Sequence, residues 1–225
     1  MYYKGVKAVL IFFLMNIFVR WTIILLAVAG VILLIFPVPW FPSFYDVRYM
    51  GWAALGGVVL IFALPWLARV KEGAPDAGRK NKAADLMQIF LAFMIASNAL
   101  GDLGLYKLYK IGFEYDKVLH FFTPFLGVIF VSLFLSGRFG ISKAKSIAIA
   151  VAIFLACGVS WEVYEYLADM YLKTHISGVY GVDISTDTKF DLLFDLIGSS
   201  SGAVGAVFLW GRSFLRLGEV VDSVQ

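Results

Sequence analysis

The chain has 225 residues, 61% of them hydrophobic, and a mean hydropathy of +0.84, which is far more apolar surface than one soluble core of that size can hide. Its formal charge of +3 is small, and its Lys and Arg residues are spread over loops rather than gathered into a stripe, which excludes a nucleic-acid binder. Cys157 has no partner in the chain, so an intramolecular disulfide framework is excluded as well.

Residues 8–36 are almost wholly apolar apart from Asn16 and Arg20, and one spanning helix over all of them would exceed the bilayer core. The sequence therefore predicts an N-terminal interfacial helix over about 1–19 and a first span over about 21–39. Ala27-Val28-Ala29 resembles a signal-peptidase site, but the apolar run continues to Phe36, so the segment reads as an uncleaved anchor. Pro37, Pro39 and Pro42, interleaved with Trp40 and Phe41, predict an aromatic interfacial turn. A second span follows over about 51–68, then a polar loop, 69–84, with Arg69, Lys71, Arg79, Lys80 and Lys82. Spans over about 86–106, 117–136, 146–167 and 190–211 complete a single membrane domain, 1–225. The expected fold is all-α, a polytopic transmembrane helical bundle of about six spans.

Basic loops stay in the cytoplasm. One side of this map collects Lys4, Lys7, Arg20, the basic residues of the 69–84 loop, Arg138, Lys143, Lys145, Arg212 and Arg216, and the other holds Arg48, Lys107, Lys110, Lys117, Lys173 and Lys189. The asymmetry predicts a multi-pass protein of the cell (inner) membrane with both termini in the cytoplasm.

On that map the acids collect at the opposite, outer face. Asp102 ends the third span, Asp116 and His120 open the fourth, Glu162 and Glu165 close the fifth, and Asp187, Asp191 and Asp195 enter the sixth. Asp116 with His120, Glu162 with Glu165, and Asp191 with Asp195 are three or four residues apart, so each pair projects from one side of its helix. An Asp at the centre of a spanning helix costs about 2.5–3.5 kcal/mol on insertion scales, and Lys117 alone cannot neutralise the set. A divalent cation would, since carboxylate and imidazole are ordinary ligands of Mg, Mn, Zn or Fe. The plainer alternative is that the acids are protonated, bond to Tyr164, Tyr166 or backbone carbonyls, or face water. Asp102 and Asp187 are the weakest members, readable as solvated helix ends or caps. The Gly198–Gly205 stretch with Ser199, Ser200 and Ser201 reads as close helix packing before it reads as a nucleophile, and His175 reads as a surface residue.

The segments Asp116-Lys117-Val118-Leu119-His120-Phe121, Glu162 to Glu165, and Asp187 to Gly198 resemble the YjdF-like inner-membrane proteins. They are also similar to the VanZ-like family, with its Asp-Lys-x-x-His opening, Glu-x-x-Gln pair and Asp-x-x-x-Asn-x-x-Gly close. Glu165 stands where VanZ-like proteins tend to have Gln and Asp195 where they tend to have Asn, which makes the YjdF-like pattern the closer fit. The resemblance spans roughly residues 85–205 and implies a helical membrane protein at the cell envelope.

The expected function is a metal-dependent enzyme acting on a lipid or lipid-linked phosphoester at the extracytoplasmic leaflet. Its metal ligands would be His120, Glu162, Asp191 and Asp195, with Glu165 or Asp116 as acid or base and Lys117 steadying substrate charge. Its partners would be membrane lipids and a lipid-linked substrate. The same carboxylates also fit a cation or proton transporter, or a non-catalytic metal-binding scaffold.

Overall fold

The structure is a computed structural model that describes residues 2–42, 44, 46–173, 176–177 and 183–211, with side chains from Leu14 to Trp210. His175, Arg212 and Arg216 lie outside the described residues. The described residues form six α-helices and two short 3-10 helices, with no strand. The α-helices are α1 (Tyr2–Ile35), α2 (Val47–Ala68), α3 (Ala77–Asp102), α4 (Tyr115–Phe139), α5 (Lys143–Leu172) and α6 (Ile184–Gly211). Each carries a stretch long and apolar enough to cross a bilayer.

The anticipated interfacial segment and first span are one uninterrupted helix, whose apolar crossing stretch is Leu14–Ile35. That helix stops short of residue 39 because Pro37 and Pro39 cannot continue its hydrogen-bond ladder, and Val38–Trp40 forms a 3-10 turn instead. Its orphaned end carbonyls are taken by a neighbour: the Arg48 guanidinium donates to the Leu33 carbonyl at 2.8 Å and also to that of Leu34. The Asp46 carboxylate caps α2, accepting from the Tyr49 amide at 3.1 Å.

The other helices begin earlier or end later than hydropathy alone suggests. The 69–84 stretch is half helix, because α3 starts at Ala77 and runs through Arg79, Lys80 and Lys82 before turning apolar. Lys and Arg are good helix formers, so the backbone crosses the polar interface without a break. The short connection before α3 is pinned by Asn81, whose amide brackets the Val70 backbone, and by an Arg69–Asp85 ion pair at 2.6 Å. Arg138 at the end of α4 donates to the Ala68 carbonyl at the end of α2, tying the two helices together at that face.

Helix α4 is the hub, packing on α3, α5 and above all α6, while α1 packs on α2 and α3. Gly198 and Gly202 make the α4–α6 approach possible, since a Cβ on Gly202 would lie 2.5 Å from the Phe125 carbonyl oxygen and one on Gly198 would strike that of Phe121. The small-residue stretch of α6 is therefore a packing seam, as in other membrane helix pairs. Toward the end of α6, Ile129, Leu133, Ala206 and Trp210 close an apolar cluster. The outside of the bundle is equally apolar, with Leu25, Phe62, Trp66, Val207 and Phe208 all more than 60% exposed, a surface that only lipid would solvate.

Candidate functional site

At the bundle end where α3 runs into α4 and α5 into α6, three helix termini carry the acids inward. The first turns of α4 supply Asp116, Lys117 and His120, the last turns of α5 supply Glu162 and Glu165, and the first turns of α6 supply Asp187, Asp191 and Asp195. The side chain that caps α6 is Asp183, which accepts from the Thr186 amide at 3.1 Å. That leaves Asp187, Asp191 and Asp195, each four residues from the next, as one stripe facing α4.

Lys117 turns toward this stripe and is buried in it. Its ammonium donates to Asp187 Oδ1 at 2.5 Å and to Asp191 Oδ1 at 2.6 Å, with Asp116 Oδ2 at 3.5 Å. The expectation of Asp187 as a solvated helix end is thus corrected: it is 5% exposed and bonded to a buried cation. Two short, charge-assisted bonds hold the Lys117 ammonium between α4 and α6.

His120 sits one turn deeper, 9% exposed, at the centre of the acids. Its Nδ1 lies 3.2 Å from Asp195 Oδ1. Around Nε2 stand Asp191 Oδ1 at 3.7 Å, Asp116 Oδ1 at 3.8 Å and Glu162 Oε1 at 3.9 Å. When Nδ1–H donates to Asp195, the Nε2 lone pair of a neutral ring faces three carboxylate oxygens, which is repulsive unless a proton or a metal ion stands between them. The separations are too long for hydrogen bonds. Each is shorter than the sum of about 4.2 Å for two bonds to one zinc-sized ion. Asp116, His120 and Asp191 in particular offer ligand atoms that all lie within 4.8 Å of one another.

The acids outnumber their partners. Asp116, Glu162, Asp187, Asp191 and Asp195 face only Lys117 and His120, so with every carboxylate ionised even a protonated imidazole would leave an excess of negative charge. Two buried oxygens in the group, Glu162 Oε1 and Asp195 Oδ2, have no hydrogen-bond partner among the described residues. The Asp195 side chain fits only because α5 carries Gly158 opposite it, where a Cβ would collide with Oδ2.

Of the described carboxylates, Asp116, Glu162, Asp191 and Asp195 lie within 4 Å of a His120 ring nitrogen and Glu165 does not. Glu165 is half-buried near the end of α5, three residues after Glu162. Tyr106 stands in the 3-10 segment Leu105–Ile111, outside the spans. Burial, then the charges of Asp116, Asp102 and Glu165, push its phenol well above the usual range, so it remains a hydrogen-bond donor.

A cavity of about 1200 Å³ opens beside this cluster, with Asp116, His120 and Asp195 on its wall and apolar residues of α1, α2, α3 and α5 around it. Sequence reasoning missed the contribution of α2, whose Tyr49 and Met50 line the cavity; nothing in the spacing of those residues marks them. The role of Asp187 was legible in the four-residue spacing of the α6 acids but was masked by its nearness to the helix start.

A family model described as a predicted membrane protein, DUF2238, matches residues 19–212. The chain belongs to that family. It is the YjdF-like family whose motifs the Asp116, Glu162 and Asp187 segments resemble, and the match takes in every residue of the cluster. The chain is also similar to an uncharacterised protein of Thermotoga maritima, 33% identical over 94 residues, a stretch that covers 41% of this chain and 47% of the relative. The chain thus spans about half the length of that curated relative. No solved structure matches.

Proposed function

We propose that this protein is a divalent-metal-dependent membrane enzyme that cleaves a phosphoester of a lipid or lipid-linked substrate. The observation that carries the reading is the His120 ring, with Nε2 facing the oxygens of Asp116, Glu162 and Asp191 and Nδ1 on Asp195. A carboxylate on the far ring nitrogen is the usual device for orienting a metal-bound histidine. The ligand set is accordingly His120, Asp116, Glu162 and Asp191, with Asp195 positioning the imidazole. Lys117 anchors Asp191 through the oxygen it shares. The ion, of the Mg, Mn, Zn or Fe class, would polarise a phosphoryl oxygen and lower the pKa of a bound water.

Glu165 is the acid–base group, because it borders the cluster without being committed to it. It takes the proton of the attacking water as the new O–P bond forms, and returns a proton to the alcohol oxygen as the old P–O bond breaks. Membership of a family of predicted membrane proteins, together with the six apolar helices, supports a place in the membrane.

Head-group or phosphate release from a phospholipid panel should require added metal, stop with chelator, fall to background in His120→Ala and fall about 100-fold or more in Glu165→Gln. Ion flux in proteoliposomes with no turnover across the panel would instead establish a transporter. Against that alternative, the Ser132 and Ser146 hydroxyls are spent on the backbone carbonyls of Ile129 and Ile141. The Ile129, Leu133, Ala206 and Trp210 cluster also stands between the acids and the far end of the bundle.

The site faces the outside of the cell in this reading. Arg69, Lys71, Arg79, Lys80, Lys82, Arg138, Lys143 and Lys145 gather at the opposite bundle end, and such loops are retained in the cytoplasm. A reporter fused after Gln225 should be active in the cytoplasm, and activity outside would reverse the orientation.

A further inference from the structure

The cavity beside the cluster is too long for a small soluble substrate. It follows α1 from Phe18 to Leu33, about 22 Å at 1.5 Å per residue, or roughly three-quarters of the bilayer's hydrocarbon thickness. Its volume of about 1200 Å³ is at or above the upper end of sites for drug-sized ligands, about 300–1,000 Å³. One end is polar, with Asp102, Asp116 and the hydroxyl of Tyr106, and the other is apolar, with Phe18, Leu60 and Phe154. On α2, α3 and α4 this polarity runs in the same sense: Asp46, Asp102 and Asp116 stand at the helix ends of the acid-bearing face, and Leu60, Met94 and Pro124 lie farther in. The wall is also open sideways, since Leu25 and Trp52 line the cavity and are more than 60% exposed.

We infer that this cavity holds a hydrocarbon chain of a membrane phospholipid, admitted laterally from the bilayer, with the lipid head group at the polar end beside Asp116 and His120. An amphiphile matches the gradient at both ends. Its chain replaces the water that an apolar wall excludes, and its phosphate lies where a cation held by the acids would attract it. A helix from a second copy would satisfy the wall but leave the carboxylate end buried against an apolar partner, which is costly. The inference deepens the proposed function and rests on it only for what happens at the phosphate.

The test uses the full chain in phosphatidylcholine vesicles containing a phosphatidylcholine with a diazirine near the end of one acyl chain, with no metal added. Illumination should label the inner wall at Met94, Phe154 and Cys157 more strongly than Val207 and Phe208 on the outside of α6. Gly56 lies on the wall, and a Cβ built there meets nothing within 4 Å, so Gly56→Trp fills the space without a backbone clash. Loss of room for even two methylene groups should lower wall labelling about tenfold, with labelling of Val207 and Phe208 unchanged as the control for folding. Ala53→Phe, on the same wall, should act likewise.

Wall labelling no stronger than on the α6 surface, or unaffected by both substitutions, would overturn the inference. Efficient cross-linking of two chains through Cys157 by a bis-maleimide would overturn it too, by placing a second copy at the cavity. Because labelling needs neither metal nor turnover, its failure would leave the metal centre standing, and loss of metal in a ligand variant would leave the lipid site standing.

Discussion

Protein purified with a bound divalent metal is expected to lose it when Glu162→Gln and Asp191→Asn are combined, while still inserting as a folded bundle. Both side chains present an oxygen to His120 Nε2, and each amide replacement keeps the shape while removing the charge that binds the ion. Elemental analysis of the purified variant is the measurement, and unchanged metal content would rule out the ligand assignment. A graded result is expected from Asp195→Asn. Its contact is with Nδ1, on the far side of the ring, so metal affinity should fall by about the 10- to 100-fold typical of an outer-shell partner, and by less than in the double variant.

Replacing Lys117 with Met should destabilise the protein by about 3–5 kcal/mol, the usual cost of removing one member of a buried ion pair. The ammonium and both of its short-range partners are nearly sealed from solvent, with side-chain exposures of 7% for Lys117, 7% for Asp187 and 4% for Asp191. Without the lysine, Asp187 and Asp191 lose the ammonium that bridges them. Adding Asp187→Asn should restore part of the loss, because it removes one of the stranded charges. Denaturation in mixed micelles measures both effects. A Lys117→Met protein as stable as the parent would mean that these carboxylates do not depend on the ammonium.

The two expectations separate the roles within one cluster. Lys117 and Asp187 hold α4 to α6, and their loss should lower stability. Glu162 and Asp195 contribute buried oxygens that no group among the described residues satisfies, and their loss should be felt by a ligand. Asp191 belongs to both sets, since its Oδ1 accepts from Lys117 and also faces Nε2. For that reason Glu162→Gln alone is the cleaner probe of metal, and the double variant is the stronger one.

Much of the fold was legible because lipid is an unforgiving solvent. A backbone in hydrocarbon must satisfy its own hydrogen bonds, so a long apolar run is a helix whatever its neighbours do. The ends were less legible. Hydropathy marks where the chain leaves hydrocarbon, whereas α3 and α6 begin where capping and propensity allow, at Ala77 and Ile184. The first span was placed too far along, toward residue 39, because Pro37 and Pro39 sit in an apolar stretch that hydropathy does not divide.

Spacing alone was enough to group Asp116 with His120, and Asp191 with Asp195, since a helix turns by a constant angle per residue whatever it packs against. The alternating direction of successive spans put both pairs, and Glu162, at one end of the bundle. Which atoms would meet depended on how α4, α5 and α6 lean together. Glycines at 158, 198 and 202 set that closeness, and their effect exists only once a facing helix is in place. Whether Lys117 pairs with Asp187 or reaches toward a substrate, and whether Asp195 meets the near or the far nitrogen of His120, are questions of distances of a few ångströms between chains of atoms some 75 residues apart. Such distances are set by packing across helices and not by any local preference of the residues themselves.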